Sequence, residues 1–445
     1  MISFAEHRAR FLELLTQERA AAVVATSPHR IRNHDAEYRF RPDSDFWWLT
    51  GFAEPESVLV LLPALTAETR PRTVLFLREK DRERETWTGR RLGVTAATAK
   101  LGIDEARRIE NLWTDLPQLL KGYERIVHRT GIDEARDREM LAVFAKLRAT
   151  AKAASPPPVA LLDPAPMLHE LRLFKDASEL DTMRRAARIT RDAHVAAMRT
   201  AKPGVNEREI DALLDATFRR LGGTGAAYTN IVAGGANATI LHYVLNDQPL
   251  RDGDLLLVDA GSEVDWYASD VTRTFPVNGR FTAEQRAVYQ VVLDAQLAAI
   301  DAVRPGAAFD APHERALEKL CAGLVDLGIV DGTAAEVLAA EGFKRFYMHR
   351  TSHWLGLDVH DCGAYLANGS ARALEPGMVL TIEPGLYFAE DDAAIDARWR
   401  GIGVRIEDDV LVTREGHEVL TRGIPKTVDE IEAACAGRVP ALSGA

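Results

Sequence analysis

A twelve-residue pattern that occurs twice constrains this chain more than any other feature. Leu250-Arg-Asp-Gly253-Asp-Leu-Leu256-Leu-Val258-Asp259-Ala-Gly261 returns 124 positions later as Leu374-Glu-Pro-Gly377-Met-Val-Leu380-Thr-Ile382-Glu383-Pro-Gly385. Both copies fit L-x-x-G-x-x-L-x-[VI]-[DE]-x-G. Each follows a helical stretch ending in Lys202-Pro203-Gly204 or Arg304-Pro305-Gly306, and each has a histidine upstream, His242 or His360. A shared G-x-x-L is cheap, but a carboxylate at the same place in both copies makes duplication the better account. A duplicated domain tends to close two equivalent strands around one central site, and both copies here would deliver an acid to it.

The apolar run Leu255–Val258 reads as a buried strand, so Asp259 falls at the rim of a core. Asp270, Thr272 and Thr274 alternate with Val271, Arg273 and Phe275, which predicts a second strand with Asp270 on a face that can meet Asp259. The later copy repeats the arrangement. Val379–Ile382 runs into Glu383, and Val404 to Val412 reads as one alternating strand carrying Glu407, with Asp408 and Asp409 facing solvent. Four carboxylates at buried strand ends repel one another and are costly to desolvate. Two divalent cations balance four negative charges.

Histidines point the same way. Three of the twelve, His349, His353 and His360, fall within the dozen residues His349–His360. Carboxylate oxygens with one imidazole suit Mn²⁺ first, with Co²⁺, Fe²⁺ or Zn²⁺ as alternatives. Two such ions about 3.5–4 Å apart share a water and lower its pKa, the chemistry of amide hydrolysis.

Elsewhere the chain sets boundaries. Its 445 residues carry 66 acidic and 55 basic side chains, net −11, with no basic run, which argues against nucleic acid or an anionic membrane as partner. No apolar run approaches the roughly 18 residues of a membrane span, and the first residues do not read as a signal peptide. Three widely spaced cysteines suit a reducing cytoplasm better than a disulfide framework. The seam is Ser155-Pro156-Pro157-Pro158 followed by Asp163-Pro164-Ala165-Pro166, read as a stiff linker between domains 1–166 and 167–445. Before it, the runs Ala21–Ala25, Val58–Leu62, Val74–Leu77 and Ile126–Val127 alternate with helical patterns, an α/β domain. After it, Asp176 to Glu179 caps a helix running past Arg188, Pro203-Gly204 stops a second, and Asn206 to Glu209 starts a third.

Six segments, ILHY (240–243), VDAG (258–261), SDVTRTFPVNG (269–279), SHWLGLDVHD (352–361), TIEPGLY (381–387) and GVRIEDDV (403–410), resemble the proline-specific pita-bread metallopeptidases. Within that group the chain is most similar to the bacterial Xaa-Pro aminopeptidases, the aminopeptidase P family. Asp43–Phe52 and Thr86–Gly93 resemble that family's N-terminal domain. The resemblance implies an α/β N-terminal domain, involved in oligomerisation and in the substrate site. It also implies an α+β pita-bread catalytic domain with internal pseudo-twofold duplication. The implied metal ligands are Asp259, Asp270, His353, Glu383 and Glu407, with Glu383 also the general base. His242, His349 and His360 would line the substrate site without binding metal. A relay of Asp35, Tyr387 and Arg405 and an intersubunit role for Trp87 come from the resemblance alone. The implied reaction removes the residue before a proline in second position, through a hydroxide shared by two divalent ions, in a cytoplasmic homo-oligomer, dimer or tetramer.

Some residues read two ways. Arg405 is as much an ion-pair partner for Glu407 as a relay member, and Trp47, Trp48 and Trp354 fit core as well as pocket wall. Arg350 and Thr351 follow His349 where small residues are expected, so the pocket rim would differ. The nearest rival activity is an Xaa-Pro dipeptidase, which needs a group to clamp a free carboxylate, with Arg350 the candidate. A catalytically inert binding module is the rival from another class; such copies lose ligands, and all five are present here.

Overall fold

A computed structural model describes residues 2–152 and 156–438. The chain forms two compact units, Met1–Arg172 and Leu173–Ala445. The division falls a few residues past the expected seam. The proline segment is not a plain linker: Ala160–Leu162 lies within it as a strand of the first unit. Ser155 lies outside the described residues. Among the described residues, no helix is long and apolar enough to cross a membrane.

In the first unit the four apolar runs become strands of one six-stranded sheet. In chain order these are β1 (Ala20–Ala25), β2 (Val58–Leu62), β3 (Arg72–Leu77), β4 (Glu105–Arg108), β5 (Arg125–Val127) and β6 (Ala160–Leu162). Their order across the sheet is β4-β3-β2-β1-β5-β6. β5 runs parallel to both β1 and β6, while β2 is antiparallel to β1 and β3. Val60, Val74, Phe76 and Ile126 pack in one core with Met140 and Phe144 of helix α1 (Glu134–Ala149). β1 and β2 are buried along nearly their whole length, as strands without a solvent face must be.

The second unit is built from the repeat. The expected pair of helices after Asp176 is one continuous helix, α2 (Ala177–Thr200), opened by a capping box between Asp176 and Glu179. It contains no Gly or Pro to break it. Helix α3 (Glu207–Arg220) follows the predicted Asn206–Glu209 box. The later copy has α4 (Ala283–Ala302) and α5 (Ala311–Asp326) in their places.

The two copies agree bond by bond. Gly204 N–H donates to the Leu250 carbonyl at 2.8 Å, and Gly306 N–H to the Leu374 carbonyl at 2.8 Å. The return bonds run from Leu250 to Val205 and from Leu374 to Ala307, at 2.8 and 2.7 Å. Gly253 and Gly377 both take left-handed φ, +85° and +97°, which explains why the pattern demands glycine there.

Strands β7 (Ile231–Gly234), β8 (Leu255–Asp259) and β9 (Thr272–Pro276) form the first half-sheet, with β8 central. β8 is entirely buried, and its apolar side chains contribute on the order of 1.5–3 kcal/mol each. In the later half, β10 (Val379–Ile382) pairs with β13 (Asp408–Val412), which pairs with β14 (His417–Val419). The single strand expected over 404–412 is in fact two. β12 (Gly403–Arg405) pairs with β11 (Gly385–Tyr387), and the chain shifts partners at Ile406–Glu407 before β13 begins. That shift lets Glu407 N–H donate to the Thr272 carbonyl at 3.1 Å, and Thr274 Oγ1 to the Arg405 carbonyl at 3.0 Å. The two copies are stitched together where their acids meet.

Candidate metal centre

Each acid is placed by a strand end. Asp259 is the last residue of β8, in register with Thr272; Asp270 sits two residues before β9 rather than within it. Glu383 follows β10, and Glu407 precedes β13. Gly261 makes the turn after Asp259 close-fitting: a Cβ there would lie 1.6 Å from the Ser269 carbonyl oxygen. Asp259, Asp270, His353, Glu383 and Glu407 all line one cavity of about 1000 Å³ in the second unit. One ligand atom each from Asp270, His353 and Glu407 lies within 4.8 Å of the others.

Charge in this cluster is under-compensated. Burial, then repulsion from Asp270, Glu383 and Asp259, pushes the Glu407 carboxyl well up. Burial raises Glu383 to about 7 against the pull of His353 and Arg405. Burial also raises Asp259, although Arg405 opposes it. His353 Nδ1 faces the Trp354 carbonyl at 3.0 Å, so Nδ1–H donates there and Nε2 turns inward, 3.5 Å from both Asp270 Oδ2 and Glu383 Oε1. Burial alone would lower this imidazole, but Asp270 and Glu383 raise it to about 9.

The donor set fits divalent ions. The Tyr228 hydroxyl lies 2.6 Å from Asp259 Oδ1 and 2.5 Å from Asp270 Oδ1. One hydroxyl proton cannot serve two carboxylates, so the pair calls for additional positive charge. The inward His353 Nε2, 3.5 Å from both Asp270 and Glu383, adds one nitrogen donor to the carboxylate oxygens. Hard oxygen donors with a single nitrogen match Mn²⁺, Co²⁺, Fe²⁺ or Zn²⁺. Neither Tyr228 nor Thr272, whose Oγ1 donates to Glu407 Oε2 at 2.7 Å, was expected from sequence. Tyr228 lies between β-elements in a stretch without periodicity, and no motif marks it.

Around the acids, His242, His349 and His360 line the same cavity. The His360 ring meets His353 edge-on, 4.2 Å between centroids. His349 Nδ1–H donates to the Arg350 carbonyl at 2.8 Å, leaving Nε2 to accept from the Tyr387 hydroxyl at 2.8 Å. Burial lowers His349 to about 3, so the ring stays neutral. Tyr387 in turn accepts from Arg405 at 3.1 Å. Arg405 binds Asp259 Oδ2 at 2.6 Å and Thr272 Oγ1 at 3.0 Å, so its direct carboxylate partner comes from the opposite copy of the repeat. Asp35 occupies an exposed turn between Ile31–Asn33 and Ala36–Glu37 in the first unit, and Trp87, 85% exposed, lies on the helix Arg82–Thr88 of that unit.

Asp408 and Asp409 do not face solvent; both are 1% exposed. Asp408 binds Arg273, Lys426, Thr421 and Gln296. Asp409 accepts from Ser269 Oγ at 2.8 Å and from Asp270 N–H at 3.1 Å, holding the backbone that carries a metal ligand. Trp48 and Trp354 are fully buried core residues, Trp354 backing Tyr365 and Phe309 of the cavity wall. At the rim, Thr351 points inward to Tyr347 and His313, whereas Arg350 is exposed and paired with Asp310.

Comparison with known proteins agrees with this geometry. Residues 181–414 match the model of metallopeptidase family M24, and residues 4–128 match that of the aminopeptidase P N-terminal domain. The chain is 43% identical to the Xaa-Pro aminopeptidase of Escherichia coli, over 94% of each chain. It superposes on the aminopeptidase PepP of Pseudomonas aeruginosa with a TM-score of 0.94 and 46% identity, covering 98% of this chain and 99% of that one. It also superposes on zinc-substituted E. coli aminopeptidase P in complex with product, with a TM-score of 0.93, 42% identity and 98% of each chain covered. The chain belongs to metallopeptidase family M24, in its aminopeptidase P branch.

Proposed function

We propose that this metallopeptidase removes the N-terminal residue from peptides with proline in second position, releasing a free amino acid and a peptide that begins with proline. The observation that carries this reading is the convergence of four strand-end carboxylates and one inward imidazole on the floor of a single cavity. Asp259, Asp270, His353, Glu383 and Glu407 would hold two divalent ions, which would polarise the carbonyl and acidify a water. Manganese is the metal proposed, because the ligands are mostly hard oxygens; the zinc-substituted E. coli relative shows that this branch accepts another ion.

The chain's own groups do the rest. Glu383, a carboxylate lining the cavity beside the other acids, takes the attacking water's proton and passes it to the leaving nitrogen. His360, beside His353, donates to the carbonyl oxygen as it gains charge. His242 and the apolar wall receive the proline ring. An Xaa-Pro bond is a tertiary amide with no N–H, so a site that offers no acceptor for one loses nothing by taking proline. His349, Tyr387 and Arg405 form a continuous chain of hydrogen bonds to Asp259 and fix its charge and orientation. The first unit supports oligomerisation, with Trp87 reaching a neighbour in a dimer or tetramer. Three cysteines that form no disulfide suit the cytoplasm.

Dipeptides alone are not the preferred class, because the one candidate carboxylate clamp, Arg350, is already paired with Asp310. The test is hydrolysis of Arg-Pro and Arg-Pro-Pro by the manganese-loaded enzyme. Cleavage of the tripeptide supports the aminopeptidase; cleavage of the dipeptide only would replace it with a dipeptidase.

A further inference from the structure

A second cavity, of about 490 Å³, lies in the first unit at the carboxyl ends of the parallel strands β1, β5 and β6. Thr26, His128 and Pro164, which follow these strands, line it. Crevices at this end of parallel strands are where open α/β sheets bind ligands. The catalytic reading makes no use of this one.

His128 supplies the independent observation. It is 3% exposed and lines the cavity. Its Nδ1 faces the Val23 carbonyl at 3.0 Å, so Nδ1–H donates there and Nε2 carries a lone pair. That buried Nε2 has no hydrogen-bond partner. Burial, and then nearby Arg136, disfavour protonation of the ring, which keeps Nε2 an acceptor at neutral pH. An orphaned buried acceptor costs about 1–3 kcal/mol, which a ligand's N–H would recover.

The rest of the lining carries both signs. Arg30, Arg129 and Arg136 line it together with Asp43 and Asp133, Asp43 lying 3.8 Å from Arg129 and Asp133 3.6 Å from Arg136, while Asp45 is already held by Arg172 and Arg129 at 2.6 and 2.5 Å. A simple anion would meet the Nε2 lone pair and Asp43. A simple cation would meet the arginines. A purely apolar ligand would leave His128 Nε2 without a partner. A small zwitterion with adjacent ammonium and carboxylate satisfies both sets, and Val24, Val127 and Ile132 offer apolar surface beside them. We propose that this crevice binds a free α-amino acid, its ammonium on His128 Nε2 and its carboxylate on Arg136 and Arg30. Such a molecule is also what the proposed reaction releases, although the binding itself does not rest on that reading.

The experiment is calorimetric titration of the manganese-loaded, full-length protein with L-leucine, and separately with isobutylamine and isovalerate, which carry one charge each. The variants are His128→Asn, whose amide keeps the donor to Val23 and deletes Nε2, and Arg136→Gln at a half-buried position that leaves the core intact. Leucine should bind saturably, each variant should weaken that binding about tenfold or more, and cleavage of Arg-Pro-Pro should stay unchanged. Three results overturn the proposal: no leucine binding tighter than about 10 mM, binding unaltered in both variants because the catalytic cavity accounts for it, or single-charge analogues that bind as well as leucine. Cleavage is read separately, so failure here leaves the peptidase assignment standing, and the reverse.

Discussion

Glu407 and Asp408 are consecutive, and both are almost wholly buried, at 2% and 1% exposure, yet their surroundings treat the two charges in opposite ways. Burial would raise Asp408, but Arg273 and Lys426 hold it well below the usual carboxylate range, with Thr421 and Gln296 completing its bonds. Glu407 receives one hydroxyl and faces three other acids. One carboxylate is neutralised by the fold; the other is left for something the fold does not contain. A buried acid supplied with its own cations holds a structure together, and a buried acid denied them is a place for added positive charge.

The largest expected effect tests the under-compensated side. Glu383→Ala should lower Arg-Pro-Pro hydrolysis about 10⁴-fold, near 5.5 kcal/mol of barrier, and His353→Ala should do the same while also reducing bound manganese. Wild-type-like activity in either, with metal measured by atomic emission, would show that the acids do not share one centre. Next comes the neutralised side. Asp408→Ala strands the fully buried Arg273 and should cost about 3–4 kcal/mol in urea unfolding of the metal-loaded protein. A loss below about 1 kcal/mol would mean the pair is not what stabilises that region.

A smaller effect is expected at Tyr228. Tyr228→Phe removes the hydroxyl shared by Asp259 and Asp270 and should weaken manganese binding about 10–100-fold without unfolding the protein. Unchanged affinity in a competition titration would remove Tyr228 from the site. The smallest is a pH effect. Glu383 and Glu407 have raised carboxyls, so the folded metal-free protein binds more protons than the unfolded chain between the ordinary carboxylate range and about 7. Chelated protein should therefore gain stability as pH falls from 8 towards about 6.5, above the range where the buried neutral His349 begins to cost stability, by no more than about 1.4 kcal/mol per unit for each group. Manganese should flatten that slope, and equal slopes with and without metal would show that Glu383 and Glu407 are not left short of positive charge.

How much of this could be read in advance follows from what each residue's neighbours in sequence reveal. Asp259 and Glu383 end runs of apolar residues within a repeated pattern, so their placement at a core's rim is local information. Asp408 reads as solvent-facing from sequence because an unbroken strand over 404–412 would turn alternate residues to solvent. The partner change at Ile406–Glu407 breaks that alternation, and β13 is covered on both faces. Asp270 was expected inside a strand that begins two residues later, at Thr272. Tyr228 left no trace, since an irregular segment has no period to interpret. The choice of His353 from three close histidines came from family resemblance, and its inward Nε2 depends on the Trp354 carbonyl behind it.

The sequence by itself determined the duplication, the strand-end acids, the helix caps at Asp176 and Asn206, and the family to which the chain belongs. These are properties of spacing and of short-range backbone chemistry. Tertiary structure alone decided which acids keep a compensating cation and which do not, and which hydroxyls bridge them. Contacts such as Arg405 with Asp259 or Thr272 with Glu407 join residues more than a hundred positions apart. Their energies depend on burial and separation in space, which the order of residues along the chain does not specify.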